Sequence, residues 1–159
     1  MESRINLMTT DFGGKAFKRI IAVGKVIHDS AVPQTILQLV ELRASQINGC
    51  GFCTDMHSKD AQAAGEDSVR LNLVAAWREA TVFTEAERAA LALAEEGTRI
   101  ADAQHGVSDE TWEQARKHFD EEQLAALVTA IAMINAFNRL NVIVRTLAGS
   151  YQPGMLDQL

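Results

Sequence analysis

Both cysteines of this 159-residue chain lie in one short stretch, Cys50-Gly51-Phe52-Cys53, and His57 follows the second of them by four positions. Two neighbouring thiols with an imidazole beside them are the parts needed to reduce a peroxide. A thiolate attacks one oxygen of the O–O bond and becomes a sulfenic acid, which a second thiol converts to a disulfide. Residues three and four apart share a helix face, so on a helix Cys50, Cys53 and His57 lie together. His57 can then take the thiol proton, directly or through a water, and return it to the departing alkoxide. Asn48-Gly49, just before the motif, is a turn or helix-stop signal. It puts the dithiol at the start of the next helix, where free N–H groups and the helix dipole favour a thiolate. That field fades within a turn and helps Cys50 most, whereas His57 helps Cys53 most. These effects leave open which sulfur attacks first.

Other uses of the pair are weaker. A closed zinc site needs four ligands, usually with a second pair at recognisable spacing, and His28, His105 and His118 supply no such pair. Free cysteines are often inert core residues, but these coincide with a histidine at helical spacing and a helix-start signal. A structural disulfide gains most by closing a long loop, and this one would close almost none. In a reducing compartment a C-x-x-C is more often redox or metal chemistry than a staple.

The elements that must hold the dithiol read as helices throughout. Apolar residues make up 47% of the chain, enough to bury a core, and only two prolines occur, which suits long helices. The length is that of one ordinary domain over residues 1–159. Residues 1–14 read as a loose arm ending at Gly13-Gly14, followed by a helix over 15–28. Pro33 opens a second helix reaching about Gln46, and the motif helix runs from Cys50 to Ala64 with Gly65 as its stop. A further helix spans 66–77. Thr84-x-x-Glu87 is a capping box opening a helix over 86–103, and Ser108 caps a short one to about His118. Asp120-x-x-Gln123 opens the last and longest helix, ending at Gly149. Nothing alternates with period two, so no strand is expected, and the fold class is all-α.

The net charge of −6, without a basic stripe, argues against a nucleic-acid partner. Residues 124–147 are the most apolar stretch, but Asn135, Asn138, Arg139, Asn141 and Arg145 interrupt it. It is therefore expected to be a buried protein helix and not a membrane span. Its polar residues are expected at helix ends or a subunit interface, because buried polar groups need partners. Trp77 and Trp112 are expected as core or interface anchors, and Phe17, Ile20 and Ile21 as a cover for a neighbouring subunit. The N-terminus lacks a secretory pattern, so a cytoplasmic location is the default. No phosphate-cradling Gly-rich loop appears, and no metal, flavin or nucleotide cofactor is expected.

The segment Leu39-Val40-Glu41-Leu42-Arg43-Ala44-Ser45-Gln46-Ile47-Asn48-Gly49-Cys50-Gly51-Phe52-Cys53-Thr54-Asp55-Met56-His57 resembles the core motif of the alkylhydroperoxidase D-like (AhpD-like) group of the carboxymuconolactone decarboxylase superfamily. The likeness continues at residues 83–94, 118–124 and 134–141, a family-like core of about 36–147 preceded by an N-terminal arm and helix over 1–32. The resemblance implies an AhpD-like helical subunit that assembles as a homo-trimer or homo-hexamer. It implies an antioxidant thiol peroxidase whose disulfide is reduced by an external dithiol partner protein, in some members a lipoyl group. It assigns the attack to Cys53, resolution to Cys50 and proton transfer to His57. The group's relay glutamate falls twelve residues before the first cysteine, where this chain has Gln38. An amide cannot exchange a proton at neutral pH but can orient His57. Glu41, one turn later on nearly the same face, is the alternative, although a helix carboxylate is more often a solvated surface charge. Another departure is Phe52, where some of the group's peroxidases carry a histidine. The superfamily also offers a decarboxylase-type enzyme, which does not need a dithiol. A dithiol sensor or interaction protein that oxidises once is a further reading, kept open by Gln38.

Overall fold

The computed structural model describes residues 2–103 and 105–156. Its described residues form seven α-helices and no strand: α1 (Asp11–His28), α2 (Gln34–Ile47), α3 (Gly51–Ala63), α4 (Ser68–Leu73), α5 (Glu85–Thr98), α6 (Asp109–Arg116) and α7 (Glu121–Val144). The all-α expectation holds. Both capping boxes form as read. Thr84 accepts from the Glu87 N–H while the Glu87 carboxylate accepts from the Thr84 N–H, and Asp120 and Gln123 repeat the exchange. Each cap satisfies donors that the first helical turn leaves unpaired.

Several boundaries differ from the sequence reading. α1 begins at Asp11, capped by the Thr10 hydroxyl, so Gly13-Gly14 lie inside its first turn. Gly13 is there because of a close approach, since a Cβ would sit 2.1 Å from the Leu7 carbonyl oxygen. The arm before it is a short 3-10 turn, Leu7–Thr9. Its first residues clasp the end of α7: Arg4 N–H donates to the Val144 carbonyl (2.8 Å), and the Arg4 guanidinium to that of Ile143 (2.9 Å). α4 stops at Leu73 and passes into a 3-10 turn, and α5 ends at Thr98, not near 103. α7 ends at Val144, five residues short of Gly149, because Arg145 turns into the left-handed region (φ 57°) and its N–H bonds back to the Asn141 and Val142 carbonyls.

α2 is the axis of the fold. Leu37, Leu39, Val40 and Leu42 are all essentially buried, so its faces pack on α5, α3 and α7 at once. One core cluster joins Leu37 and Val40 to Leu93 of α5 and Leu127 of α7, and a second joins Leu39 and Leu42 to Val74, Trp77 and Leu91. Trp77 is the expected core anchor, its indole N–H donating to Glu95 at 2.9 Å, whereas Trp112 lies at the surface. A third cluster, Ala44, Cys50, Cys53 and Ile134, seats the dithiol between α2 and α7. Among the described residues α7 alone is long and apolar enough, by composition, to cross a membrane. It is less buried than the sequence implies: only 33% of its most apolar window is covered within the subunit.

Candidate active site

Gly49 makes the turn between α2 and α3 with φ +64°, a conformation that favours glycine. The turn leaves Cys50 as the N-cap of α3 and not as a helical residue. Its sulfur accepts from the Cys53 backbone N–H at 3.4 Å. Cys53 and His57, four apart on α3, are the pair that shares a helix face. Both thiols are free, and each sulfur residue is about 1% exposed. The two lie differently: Cys53 lines a cavity of about 640 Å³ together with His57, and Cys50 is not part of its wall.

That cavity is largely apolar. Phe17 and Ile21 of α1 form one wall with Phe137 of α7, and Phe52, Met56, Ile134, Tyr151 and Leu156 complete it. Phe17 and Ile21 thus line the dithiol cavity of their own subunit. The chain after α7 folds back over α3 and is strapped there. Gly149 N–H donates to Asp55 (2.8 Å), Lys59 donates to the Tyr151 carbonyl (2.9 Å), and the Tyr151 hydroxyl donates to Asp60 (2.9 Å).

The polar side of the cavity is a line of three groups. Glu41 is buried, with Oε2 3.4 Å from His57 Nδ1 and Oε1 3.3 Å from His28 Nε2. Glu41 is therefore not the solvated surface charge that its residue type favours, and it makes the carboxylate contact to His57. Gln38 lines the same cavity. Burial raises the Glu41 pKa, but the charges of His57 and His28 outweigh it and hold the carboxyl below its usual range. Burial holds His57 below its ordinary value against the pull of Glu41. His28 is raised from 6.5 to about 9, mainly by its hydrogen bond to Glu41. Near neutral pH the line therefore carries a His28 imidazolium, a Glu41 carboxylate and a neutral His57. Glu41 favours the tautomer with hydrogen on Nδ1, which leaves Nε2 as an acceptor. Nε2 and the Glu41 Oε2 are both buried without a hydrogen-bond partner among the described residues, so the 3.4 Å approach of Oε2 to Nδ1 is not itself a hydrogen bond.

The thiols divide one proton between them. Cys50 is lowered to about 7 by the hydrogen bond from the Cys53 thiol, with the N–H groups of Cys53 and Phe52 and the Asn138 amide adding to the effect. Cys53 is raised by that same partner and by burial, while Asn138 and Asn141 act the other way. Of the two sulfurs Cys50 is therefore the one that ionises first, and Cys53, which lines the cavity, donates its S–H to it.

Sequence reasoning missed His28 and the inward role of the α7 asparagines. Asn138 is fully buried, donating to the Ser45 hydroxyl (3.1 Å) and accepting from Asn48 (2.8 Å). Asn135 also accepts from Asn48 and donates to Thr98. These residues tie α7 to the turn before Cys50 within the subunit. Their spacing of three along an apolar helix was the available signal. Among the described residues, no cluster of three or more His, Cys, Asp or Glu side chains is arranged to hold a metal ion.

Comparison with known proteins agrees with this architecture. The uncharacterized Bacillus subtilis protein YdfG is 37% identical over 136 residues, 86% of this chain and 91% of that protein. A solved structure from Agrobacterium tumefaciens, a protein of unknown function suggested to be an AhpD antioxidant defence protein, is 36% identical with a TM-score of 0.88. It covers 94% of this chain and all of its own. An uncharacterized peroxidase-related protein from Silicibacter sp. TM1040 shares the fold at 17% identity, with a TM-score of 0.77 over 91% of this chain and 75% of its own. The carboxymuconolactone decarboxylase family model matches residues 15–96, from α1 through the dithiol to α5. The chain is an AhpD-like member of the carboxymuconolactone decarboxylase family.

Proposed function

We propose that the protein is a cysteine-based peroxidase that reduces organic hydroperoxides. The observation that carries this reading is the cavity: about 640 Å³, mostly apolar, with Cys53 and the buried His57, whose Nε2 has no hydrogen-bond partner among the described residues, both in its wall. A space of that size suits the body of an organic molecule and exceeds what hydrogen peroxide needs. The antioxidant-defence suggestion for the Agrobacterium relative, and the peroxidase-related description of the Silicibacter protein, point the same way.

In the proposed cycle His57 Nε2 takes the Cys53 proton. The thiolate attacks the outer oxygen of ROOH, the O–O bond breaks, and His57 returns the proton to the departing RO⁻. Cys53 is left as a sulfenic acid. The Cys50 thiolate attacks that sulfur, hydroxide leaves and is protonated to water, and the Cys50–Cys53 disulfide forms. Glu41 fixes the His57 tautomer and balances its charge while it holds the proton. The 3.4 Å contact between them is long, as such contacts often are before substrate binds. Gln38 contributes to the wall, and the relay carboxylate is Glu41. Two electrons then come from an external dithiol partner, of the lipoyl type in some members of the group, by thiol–disulfide exchange. A C-x-x-C of this kind suits a reducing cytoplasm, where it is more often redox chemistry than a structural staple. The exposed Val128, Val142 and Ile143 on α7 suit burial in a homo-trimer or homo-hexamer.

The test is steady-state consumption of cumene hydroperoxide with excess dithiothreitol, beside a Cys50→Ser/Cys53→Ser protein. Many turnovers, lost in the double variant, support the peroxidase. A single oxidation would favour a redox sensor, and no thiol oxidation at all would favour the decarboxylase-type chemistry.

A further inference from the structure

The cycle above leaves unused two amides of α7 beside the dithiol, Asn138 and Asn141, and only the second lines the cavity. Asn141, near the end of α7, lines the cavity and points its amide at the reacting sulfur, with Nδ2 3.4 Å from Cys53 Sγ. The same NH₂ group donates to the Phe137 carbonyl one turn back (3.0 Å). An amide nitrogen carries two hydrogens, so one anchors the side chain to its own helix and the other is left for sulfur. The anchor matters because a donor already held in place need not reorganise when charge appears.

We infer that Asn141 is a further catalytic residue of this site, an amide donor that stabilises the Cys53 thiolate and holds that sulfur toward the cavity. When the Cys53 S–H bond breaks and its proton passes to His57 Nε2, the negative charge is left beside the Asn141 N–H. Hydrogen bonds to a charged acceptor are shorter and stronger than neutral ones, so the contact tightens as the thiolate forms. This offsets the two influences that oppose ionisation of Cys53, its hydrogen bond with Cys50 and its burial. The N-terminal N–H groups of α3 cannot do this work, because the Cys53 N–H is spent on Cys50. The charged and titratable groups facing Cys53 are Cys50, His57 and Asp60 on or at the start of its own helix, Glu41 from α2, Lys25 and His28 from α1, and Tyr151 from the tail. Asn138 also acts on Cys53, but its amide is tied to Ser45 and lies outside the cavity wall, so Asn141 is the neutral donor that reaches the sulfur from the cavity side, and its effect does not itself titrate.

The inference rests on Cys53 being the attacking sulfur, but thiol acidity can be measured without any peroxide. In a Cys50→Ser protein the pH dependence of alkylation by iodoacetamide reads Cys53 alone. Asn141→Ala should raise the midpoint by about one pH unit, which is tenfold less thiolate below it, with the limiting rate at high pH preserved. Asn141→Asp, of nearly the same shape, should raise it further by placing a negative charge beside the sulfur. It serves also if the alanine variant misfolds by circular dichroism. Unchanged midpoints in folded variants would overturn the assignment. A raised midpoint in these variants, together with a wild-type protein (both cysteines present) that fails to turn over hydroperoxide, would uphold the donor role of Asn141 and sink the peroxidase reading instead.

Discussion

Replacing Glu41 by glutamine tests the line of groups behind Cys53 most directly. The substitution keeps the shape and removes the charge that both histidines face. Its cost to stability follows from His28, whose pKa is raised from 6.5 to about 9. At about 1.4 kcal/mol per pH unit that displacement is worth at most about 3 kcal/mol. The His28 side chain is 41% exposed, so solvent screening reduces the figure to about 1–2 kcal/mol. The sign is fixed by the raised value: the stabilisation is complete below 6.5 and vanishes as pH climbs through about 9. The lowered Glu41 value works from the acid side, where the contribution is lost as the carboxylate protonates. Urea unfolding of both proteins at pH 6, 7.5 and 9.5 should therefore show a gap that closes between the first and last. The kinetic effect is larger. A glutamine can present N–H to His57 Nδ1, shifting the ring hydrogen to Nε2 and removing the acceptor for the thiol proton. Oxidation of the dithiol by cumene hydroperoxide, followed by quenched thiol titration, should slow by about 10²- to 10⁴-fold. A stability gap that ignores pH, together with wild-type oxidation kinetics, would refute the relay.

Other outcomes follow from the same geometry. Cys53→Ser should abolish hydroperoxide consumption, whereas Cys50→Ser should permit one turnover and accumulate a sulfenic acid at Cys53. A trapped sulfenic acid at Cys50 in the Cys53→Ser protein would reverse the roles. In the wild type, total thiolate measured by absorbance near 240 nm should rise in a first step at pH about 7, assigned to Cys50, and that step should be missing from Cys50→Ser. Gly13→Ala should destabilise the protein by about 1–3 kcal/mol in thermal unfolding, because a Cβ would lie 2.1 Å from the Leu7 carbonyl oxygen. Leu127→Ala, at a fully buried position in the main core, should cost about 2–5 kcal/mol by denaturant unfolding.

The parts of this molecule legible in the sequence are those set by neighbours along the chain. The capping boxes at Thr84 and Asp120, the turn at Gly49 and the Cys53–His57 pair all depend on spacings of four residues or fewer, and all formed. Gly13-Gly14 misled because its reason is the fold-back of the turn just before it: it reads as a breaker, but the helix accepts it to let Leu7 approach. Glu41 and His28 misled for a related cause. A glutamate on a helix is usually solvated, and nothing local announces that α1 and α3 will each bring a histidine to its two oxygens. Asn141 lies 88 residues from the sulfur it contacts, a separation that periodicity cannot span.

The clasp between the N-terminal arm and the end of α7 has a dynamic consequence. Chain termini usually fray independently of one another. Here the arm and the end of α7 are held to each other, because releasing Arg4 strips the Ile143 carbonyl of its donor and leaves Val144 with that of Ser3 alone, and unwinding α7 removes the acceptors that hold the arm. The arm leads directly into α1, whose Phe17 packs edge-on against Phe137 of α7 at 5.6 Å. The clasped ends and the cavity wall therefore behave as one cooperative unit of local opening. Deuterium uptake should rise in step across α1 and the last turns of α7, with α2 protected. Access to the buried sulfurs is then governed by the free energy of this seam, which can open while the core stays folded.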